Sequence, residues 1–329
     1  MGLRKNISGL KKIFGSANGL ERRDKDANAD QPDDAQLAVS LENLNLFRSA
    51  IGFETPGSIP FRSEVCNSHH FLFECYAYWC DWFKEKPRYH RKQWEFVFIA
   101  QALWERGFLH RGAKGLGFGV GREPLVATFA AQGCGIMATD MDLASAIKKG
   151  WVGSNEYANT LQDLNERNIC DHGQFIQQVD IASVNMNHIP ERLKEFDFCW
   201  SACCFEHLGN LVKGLEFVRN SLKTLRSGGL AVHTTEFNLS SNDQTVAEGD
   251  TVLYREKDIR QLIHQLIADG HDVEPLVIHK GSQPIDDHID LPPYCSDAHV
   301  RLRLGDFAVT SVGIIIKKGD KSSPTTPHQ

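Results

Sequence analysis

Apolar and polar positions follow two different rhythms along this chain. From about Ser40 to Gly112 the apolar residues recur at three- and four-residue spacing. SLENLNLFRSAIG opens on a Ser40 N-cap, HHFLFECYAYWCDWF and KQWEFVFIAQALWERG follow, and Pro56, Pro60 and Pro87 punctuate the run. That spacing predicts helices. Fourteen of the 31 aromatic residues fall between Phe61 and Phe108, a density suited to a helical layer packed on something larger. The same rings could line a lid over a substrate, although large rings more often fill an interface. From Arg111 onward short apolar runs of strand length alternate with helical ones. Strands are predicted near GAKGLGF, CGIMATD, FIQQVDI, FDFCWSA, GLAVHTTEF, VEPLVIHK and VTSVGIIIKK, and helices at PLVATFAAQG, LASAIKKG, LVKGLEFVRNSLKTLRSG and EKDIRQLIHQLIADG. This alternation predicts an α/β fold, a doubly wound and mainly parallel seven-stranded sheet with an N-terminal helical, aromatic-rich cap. In such sheets ligands sit at the carboxyl ends of the strands.

Both ends of the chain read differently. MGLRKNISGLKKIFG is basic and mildly apolar, and ERRDKDANADQPDDAQ is charged and poor in apolar residues, as disordered linkers are. The expected organisation is a basic, charged tail over 1–39, the helical cap over 40–110, the α/β domain over 111–318 and a loose tail over 319–329. No apolar run is long enough for a secretory signal or a membrane span. Gly2 lacks the Ser or Thr four positions on that myristoylation favours, since Asn6 stands there. Leu3, Ile7, Leu10 and Phe14 could form one face of a weak membrane-surface helix.

Composition narrows the function classes. With 329 residues and an apolar fraction of 41% the chain can bury a core, and its formal charge of −6 supplies no global attraction for a polyanion. A nucleic-acid partner is therefore not expected. The nine cysteines are odd in number, lie in apolar surroundings and include no CxxC pair. Reduced thiols in a cytoplasmic protein are the expectation.

The candidate chemistry begins at GLGFGVGREPL, residues 115–125. The dinucleotide pattern GxGxxG fails here, because Arg122 or Val120 falls at its last position, and no GK[ST] marks a P-loop. GxGxG at Gly117, Gly119 and Gly121 fits instead, between a short strand and a helix starting near Pro124. Such a turn lets backbone pass close beneath a ligand without phosphates. Nineteen residues later Asp140 ends CGIMATD, where a carboxylate can accept two ribose hydroxyls. Asp180, expected at the tip of the third strand, could accept a bond from an adenine amino group.

In this order and spacing the stretch from about 111 to 318 resembles the class I S-adenosylmethionine-dependent methyltransferases. The resemblance implies S-adenosylmethionine as cofactor. It implies Gly117, Gly119 and Gly121 under its methionine part, Asp140 on its ribose, Asp180 and Ile181 on its adenine, and Ser201 to Cys203 near the sulfonium. LRSGGLAV resembles the turn into the family's fifth strand. One position departs. Where the family carries an acidic residue near the amino end of the methionine, this chain has Gly115, and Glu123 is a candidate substitute.

Methyl transfer is an in-line displacement, so acceptor alignment and proton removal are the tasks left to side chains. The catalytic candidates are Glu206 and His207, after the fourth strand, and Glu236 on the fifth; His233, mid-strand, reads as an interior histidine. For the acceptor, Asn238, Asp290, Tyr294 and His299 are candidates. LPPY at 291–294 resembles the motif of amino-methylating nucleic-acid enzymes, but it lies outside the fourth-strand position, and the chain is acidic. No metal is expected. Cys199, Cys203, Cys204 and His207 lack paired zinc spacing, and Asp286, Asp287 and His288 form one acidic loop with too few converging groups. The expected activity is methylation of a small-molecule or saccharide-like acceptor, at oxygen. A non-catalytic cofactor-binding or scaffold protein is the competing reading.

Overall fold

The computed structural model describes residues 55–57, 60–294 and 298–320. The Ser40 cap, the basic N-terminal segment and most of the C-terminal tail lie outside them. The first described element is a strand, β1 (Ser63–Val65), which joins the central sheet. This corrects the purely helical reading of residues 40–110. Three residues are too few for alternation to register against flanking helices.

Two helices follow, α1 (Glu74–Trp82) and α2 (Arg91–Glu105). His90 caps α2, its imidazole accepting the Lys92 N–H at 3.2 Å. Every residue of α2 from Gln93 to Leu103 is buried, because the helix lies between the sheet and α1. Its close approach depends on a small partner: a side chain at Gly313 would fall 2.2 Å from the Phe98 ring. The aromatic run is thus a packed layer rather than a lid, held together by edge contacts such as Phe61 with Phe98 and a tilted contact of Trp94 with Phe98.

The α/β succession then unfolds as β2 (Lys114–Phe118), α3 (Leu125–Ala131), β3 (Gly135–Asp140), α4 (Leu143–Lys149), the short α5 (Leu161–Leu164), α6 (His172–Gln178), β4 (Val179–Ser183), β5 (Phe196–Ala202), α7 (Leu211–Ser221), β6 (Leu225–Asn238) and α8 (Glu256–Ala268). β7 (Asp272–Val273), β8 (Leu276–Val277), α9 (Pro284–Asp287), β9 (Leu302–Leu304) and β10 (Phe307–Lys317) complete it. The strand order is β4-β3-β2-β5-β6-β10-β1-β8, with β7 and β9 also on β10. The run β4-β3-β2-β5-β6 is parallel and β10 is antiparallel to β6. The seven expected strands are present in a mixed sheet of ten. The predicted strand VEPLVIHK is reduced to the two-residue β7 and β8, and β1 and β9 are additional.

Winding reverses between β2 and β5, which opens a crevice at their carboxyl ends. One sheet face packs under α2, α3 and α6 through Phe129, Phe198 and Trp200. The other packs under α7 and α8 through Phe118, Phe217, Ile259 and Ile314. Among the described residues no helix is long and apolar enough to cross a membrane.

Candidate active site

The glycine-rich turn lies at the crevice. Gly119 and Gly121 have φ of +60° and +48°, backbone states that favour glycine. Asp140, half-buried at the tip of β3, fastens the turn: Oδ2 accepts the Gly121 N–H at 2.9 Å and Oδ1 the Met141 N–H at 2.7 Å. Each carboxylate oxygen retains a lone pair for a further donor. Burial pushes the Asp140 pKa up, against these two backbone bonds. Chain 151–157 folds back over the turn. Arg122 N–H bonds the Glu156 carbonyl at 3.1 Å, Tyr157 hydroxyl bonds the Met141 carbonyl at 2.9 Å, and the Trp151 ring meets the His207 ring edge-on at 5.5 Å.

The place of a side chain at Gly115 is filled, with Phe198 Cζ at 2.4 Å and Ile136 Cδ1 at 2.9 Å from it. A carboxylate has no room there. At Gly117 the space is taken by Val120 and Trp200. Glu123 is buried and accepts the Trp200 indole N–H at 2.6 Å; desolvation raises its pKa to about 8. This bond holds it in the core, away from the place of a side chain at residue 115.

Three other expectations for the cofactor are corrected in their placement. Phe175 to Gln178 belong to α6, whose N-cap is Asp171, so β4 starts only at Val179. Asp180 therefore pairs with Met137, early in the strand, and the residue beside Asp140 is Ser183. Asp180 and Ile181 are exposed on this edge strand, short of its tip. Ser201 turns its hydroxyl to His233 Nδ1 at 2.8 Å, and His233 Nε2 meets Ser221 at 3.0 Å. Ser201 thus serves the opposite sheet face, and His233 is an interior histidine whose burial lowers its pKa to about 3.

Beyond the turn lies a largely buried cluster of charged side chains. Cys204 Sγ contacts the Phe118 carbonyl at 3.3 Å and sits against Gly119, so the cluster begins where the turn ends. Cys203 closes β5 with φ +49°, a state uncommon outside glycine. Its thiol meets Glu95 Oε1 at 3.0 Å. Glu95 also accepts from Ser311 at 2.5 Å and pairs with Arg91 at 3.2 Å and Lys92 at 3.1 Å. Arg91 reaches Glu236 Oε1 at 2.5 Å. Glu206 Oε2 accepts from Thr235 at 3.0 Å. Glu206 Oε1 and Glu236 Oε2 are buried without a hydrogen-bond partner among the described residues. Desolvation raises both carboxyl groups above their ordinary range, partly opposed by Lys92 for Glu206 and by Arg91 for Glu236. Burial works against the charge on Arg91, but Glu236, Cys203 and Glu95 outweigh it.

His207 stands at the rim. Its Nδ1 meets the Asp250 carbonyl at 2.7 Å, which requires the proton on Nδ1 and leaves the lone pair on Nε2. Nε2 lies 4.0 Å from Glu206 Oε1. Desolvation lowers the His207 pKa, so the ring is neutral at pH 7.

The acceptor candidates divide. Asn238 spends its amide within the following loop, donating to Gln244 and Thr245 and accepting from Ser240 and Ser241 N–H. This turn-building role corrects its expected place in the pocket. Asp290 is paired with His299 Nδ1 at 2.6 Å, the His299 and His90 rings meet at a tilt with centroids 4.6 Å apart, and the Tyr294 ring lies edge-on to His299 at 5.5 Å. Because His299 backbone also bonds Tyr89 and Arg91, this group walls the cluster beside Arg91. The sequence reading missed Arg91, Lys92 and Glu95. Their one visible signal is a charged start, RKQWE, on a helix whose remainder is mostly apolar.

No protein-family model matches the chain, and no curated protein matches it. Solved structures do. One is a 1,6-didemethyltoxoflavin-N1-methyltransferase of Burkholderia thailandensis, bound to 1,6-didemethyltoxoflavin and S-adenosylhomocysteine: 15% identity, TM-score 0.40, covering 70% of this chain and 79% of the other. A second is the magnesium protoporphyrin IX methyltransferase of Synechocystis PCC 6803 with bound S-adenosylmethionine, at 9% identity and TM-score 0.42, covering 69% and 79%. A third is a 4+2 cyclase at 14% identity and TM-score 0.42, covering 67% and 80%. What decides the fold is the chain's own sheet, five parallel strands reversing between β2 and β5 with antiparallel β10 beside β6. This is the class I methyltransferase fold. Asp140 and the Gly119–Gly121 turn lie at the carboxyl ends of β3 and β2, and Cys203, Glu206 and Glu236 lie together beside β5 and β6.

Proposed function

We propose that the protein is an S-adenosylmethionine-dependent methyltransferase acting on a small molecule, with a hydroxyl of a saccharide-like or other polyol acceptor as the methylated group. The observation that carries this reading is Asp140, which fastens the glycine-rich turn through Gly121 while keeping lone pairs free at the tip of β3. A carboxylate so placed suits the two hydroxyls of a ribose. The bound cofactor would supply an electrophilic methyl on its sulfonium. The chain's own residues would orient the acceptor and take its proton.

The charged cluster supports an oxygen acceptor. Glu206 and Glu236 bring carboxylates to this end of the sheet, and Arg91 holds Glu236 in place. His207 Nε2 carries the lone pair that would receive the proton, with the tautomer set by Asp250. Asp290, Tyr294 and His299 would shape the outer wall. Chain 151–157 would shield the turn from water through Trp151 and Glu156.

The test is transfer of a radiolabelled methyl group from S-adenosylmethionine to polyol, phenol and amine libraries, with products identified by mass spectrometry. Labelled ethers support the reading. Label confined to amines would move the acceptor atom to nitrogen, and cofactor binding with no transfer to any fraction would favour the scaffold reading.

A further inference from the structure

The end of the crevice beyond the cofactor contains a ligand set that spacing along the chain conceals. Cys203 and Glu206 come from the turn after β5, and Glu236 from β6, thirty residues later but next to it in the sheet. One ligand atom from each lies within 4.8 Å of the others. Glu206 is 1% exposed and Glu236 6%, and each keeps one buried oxygen without a hydrogen-bond partner among the described residues. Leaving such oxygens buried and unmatched costs about 1–3 kcal/mol or more each unless something pairs with them. Cys203 has a left-handed backbone, φ +49°, and its thiol, which also meets Glu95 Oε1 at 3.0 Å and Arg91 Nη1 at 3.7 Å, lies beside this group.

Charge is short as well. Among the described residues, Glu95, Glu206 and Glu236 face Arg91 and Lys92 as their permanent cations, and Glu95 engages both. The one ion-pair contact found for Glu206 among the described residues is His207, at 4.0 Å. Ser311 and Thr235 add hydroxyls already bonded to Glu95 and Glu206.

We infer that Cys203, Glu206 and Glu236 bind one divalent transition-metal ion of the zinc type. A thiolate with two carboxylates selects against magnesium and calcium, which take oxygen ligands alone. Three protein ligands leave a fourth position open, as catalytic zinc sites do. On binding, the Cys203 thiol releases its proton to solvent, and the ion's charge replaces it. The binding itself does not depend on the methyltransferase reading. Its role does: on that reading the open position takes the acceptor oxygen and lowers its pKa.

Cobalt titration of the full-length, chelator-treated protein tests this, because a cobalt–thiolate bond adds near-ultraviolet absorption. The expected result is one Co²⁺ per chain, displaced by Zn²⁺. Cys203→Ser should abolish the thiolate band, and Glu206→Gln and Glu236→Gln should weaken binding at least ~10-fold, the scale on which even supporting groups matter. No band from the wild-type protein at millimolar Co²⁺, or an undiminished band in Cys203→Ser, overturns the site. The wild-type stoichiometry and zinc competition stand even if a variant fails to fold. Calorimetry with S-adenosylhomocysteine on the metal-free protein separates the two claims. Cofactor binding without a cobalt band sinks the metal site alone, and a cobalt band without cofactor binding sinks the methyltransferase reading alone.

Discussion

His207 Nε2 lies 4.0 Å from Glu206 Oε1, and His207 Nδ1 is held 2.7 Å from the Asp250 carbonyl. One nitrogen is thus anchored and the other presented to the cluster. His207→Ala should lower methyl transfer by roughly 10²–10⁴-fold, the scale of general-base loss, with affinity for S-adenosylhomocysteine nearly unchanged. Single-turnover rates and calorimetry on the variant check this. Unchanged turnover would leave His207 a structural partner of Asp250 and Trp151.

His233 makes a separate, pH-dependent prediction about stability. Its folded pKa is about 3 against 6.5 for an exposed ring, so the unfolded chain binds a proton first as pH falls. Its contribution is therefore intact above about pH 6.5 and is lost progressively as pH falls toward 3. At pH 5 the loss from this residue is about 2 kcal/mol, from 1.36 kcal/mol per unit. Glu123, raised to about 8, works in the opposite sense, favouring the folded state as pH falls below 8. Comparing urea unfolding of wild type and His233→Gln at pH 7 and pH 5 isolates the histidine. The wild type should lose more stability than the variant over this interval; parallel profiles would contradict the assignment.

Glu123 and Gly115 yield a paired prediction. Glu123→Gln keeps an acceptor for the Trp200 indole and replaces an acid that is mostly neutral at pH 7, so stability and S-adenosylmethionine affinity should both stay close to wild type. A loss of affinity above about tenfold (1.4 kcal/mol) would show that Glu123 touches the cofactor. Gly115→Asp should not restore a missing contact. Its side chain would meet Phe198 and Ile136, and overpacking plus a buried charge should destabilise by ~3 kcal/mol or more, measurable as a lowered unfolding temperature.

These outcomes bear on what the sequence could reveal. The alternation of strands and helices after Arg111 was legible because each parallel strand is a short apolar run bounded by turns, and Asp140 was legible because it ends such a run. Asp180 was misplaced because Phe175 and Ile176 near the end of α6 run straight into Val179 of β4, and the whole run looks like one strand when read in line. Ser201 and Asn238 sit in the right segments, but which way a side chain points depends on the pleat and on the partner strand. Arg91, Lys92 and Glu95 precede the glycine-rich turn in the chain and reach the cluster only because α2 lies across β5, β6 and β10. Local patterning does not encode that crossing.

The central claim is that the turn fastened by Asp140 holds S-adenosylmethionine, and calorimetry with S-adenosylmethionine and S-adenosylhomocysteine on wild type and Asp140→Ala tests it most directly. The account predicts that the wild type binds both ligands and that Asp140→Ala loses at least about 2 kcal/mol of affinity, roughly 30-fold, while unfolding remains cooperative. Absence of binding by the wild type, or full affinity in Asp140→Ala, would contradict it.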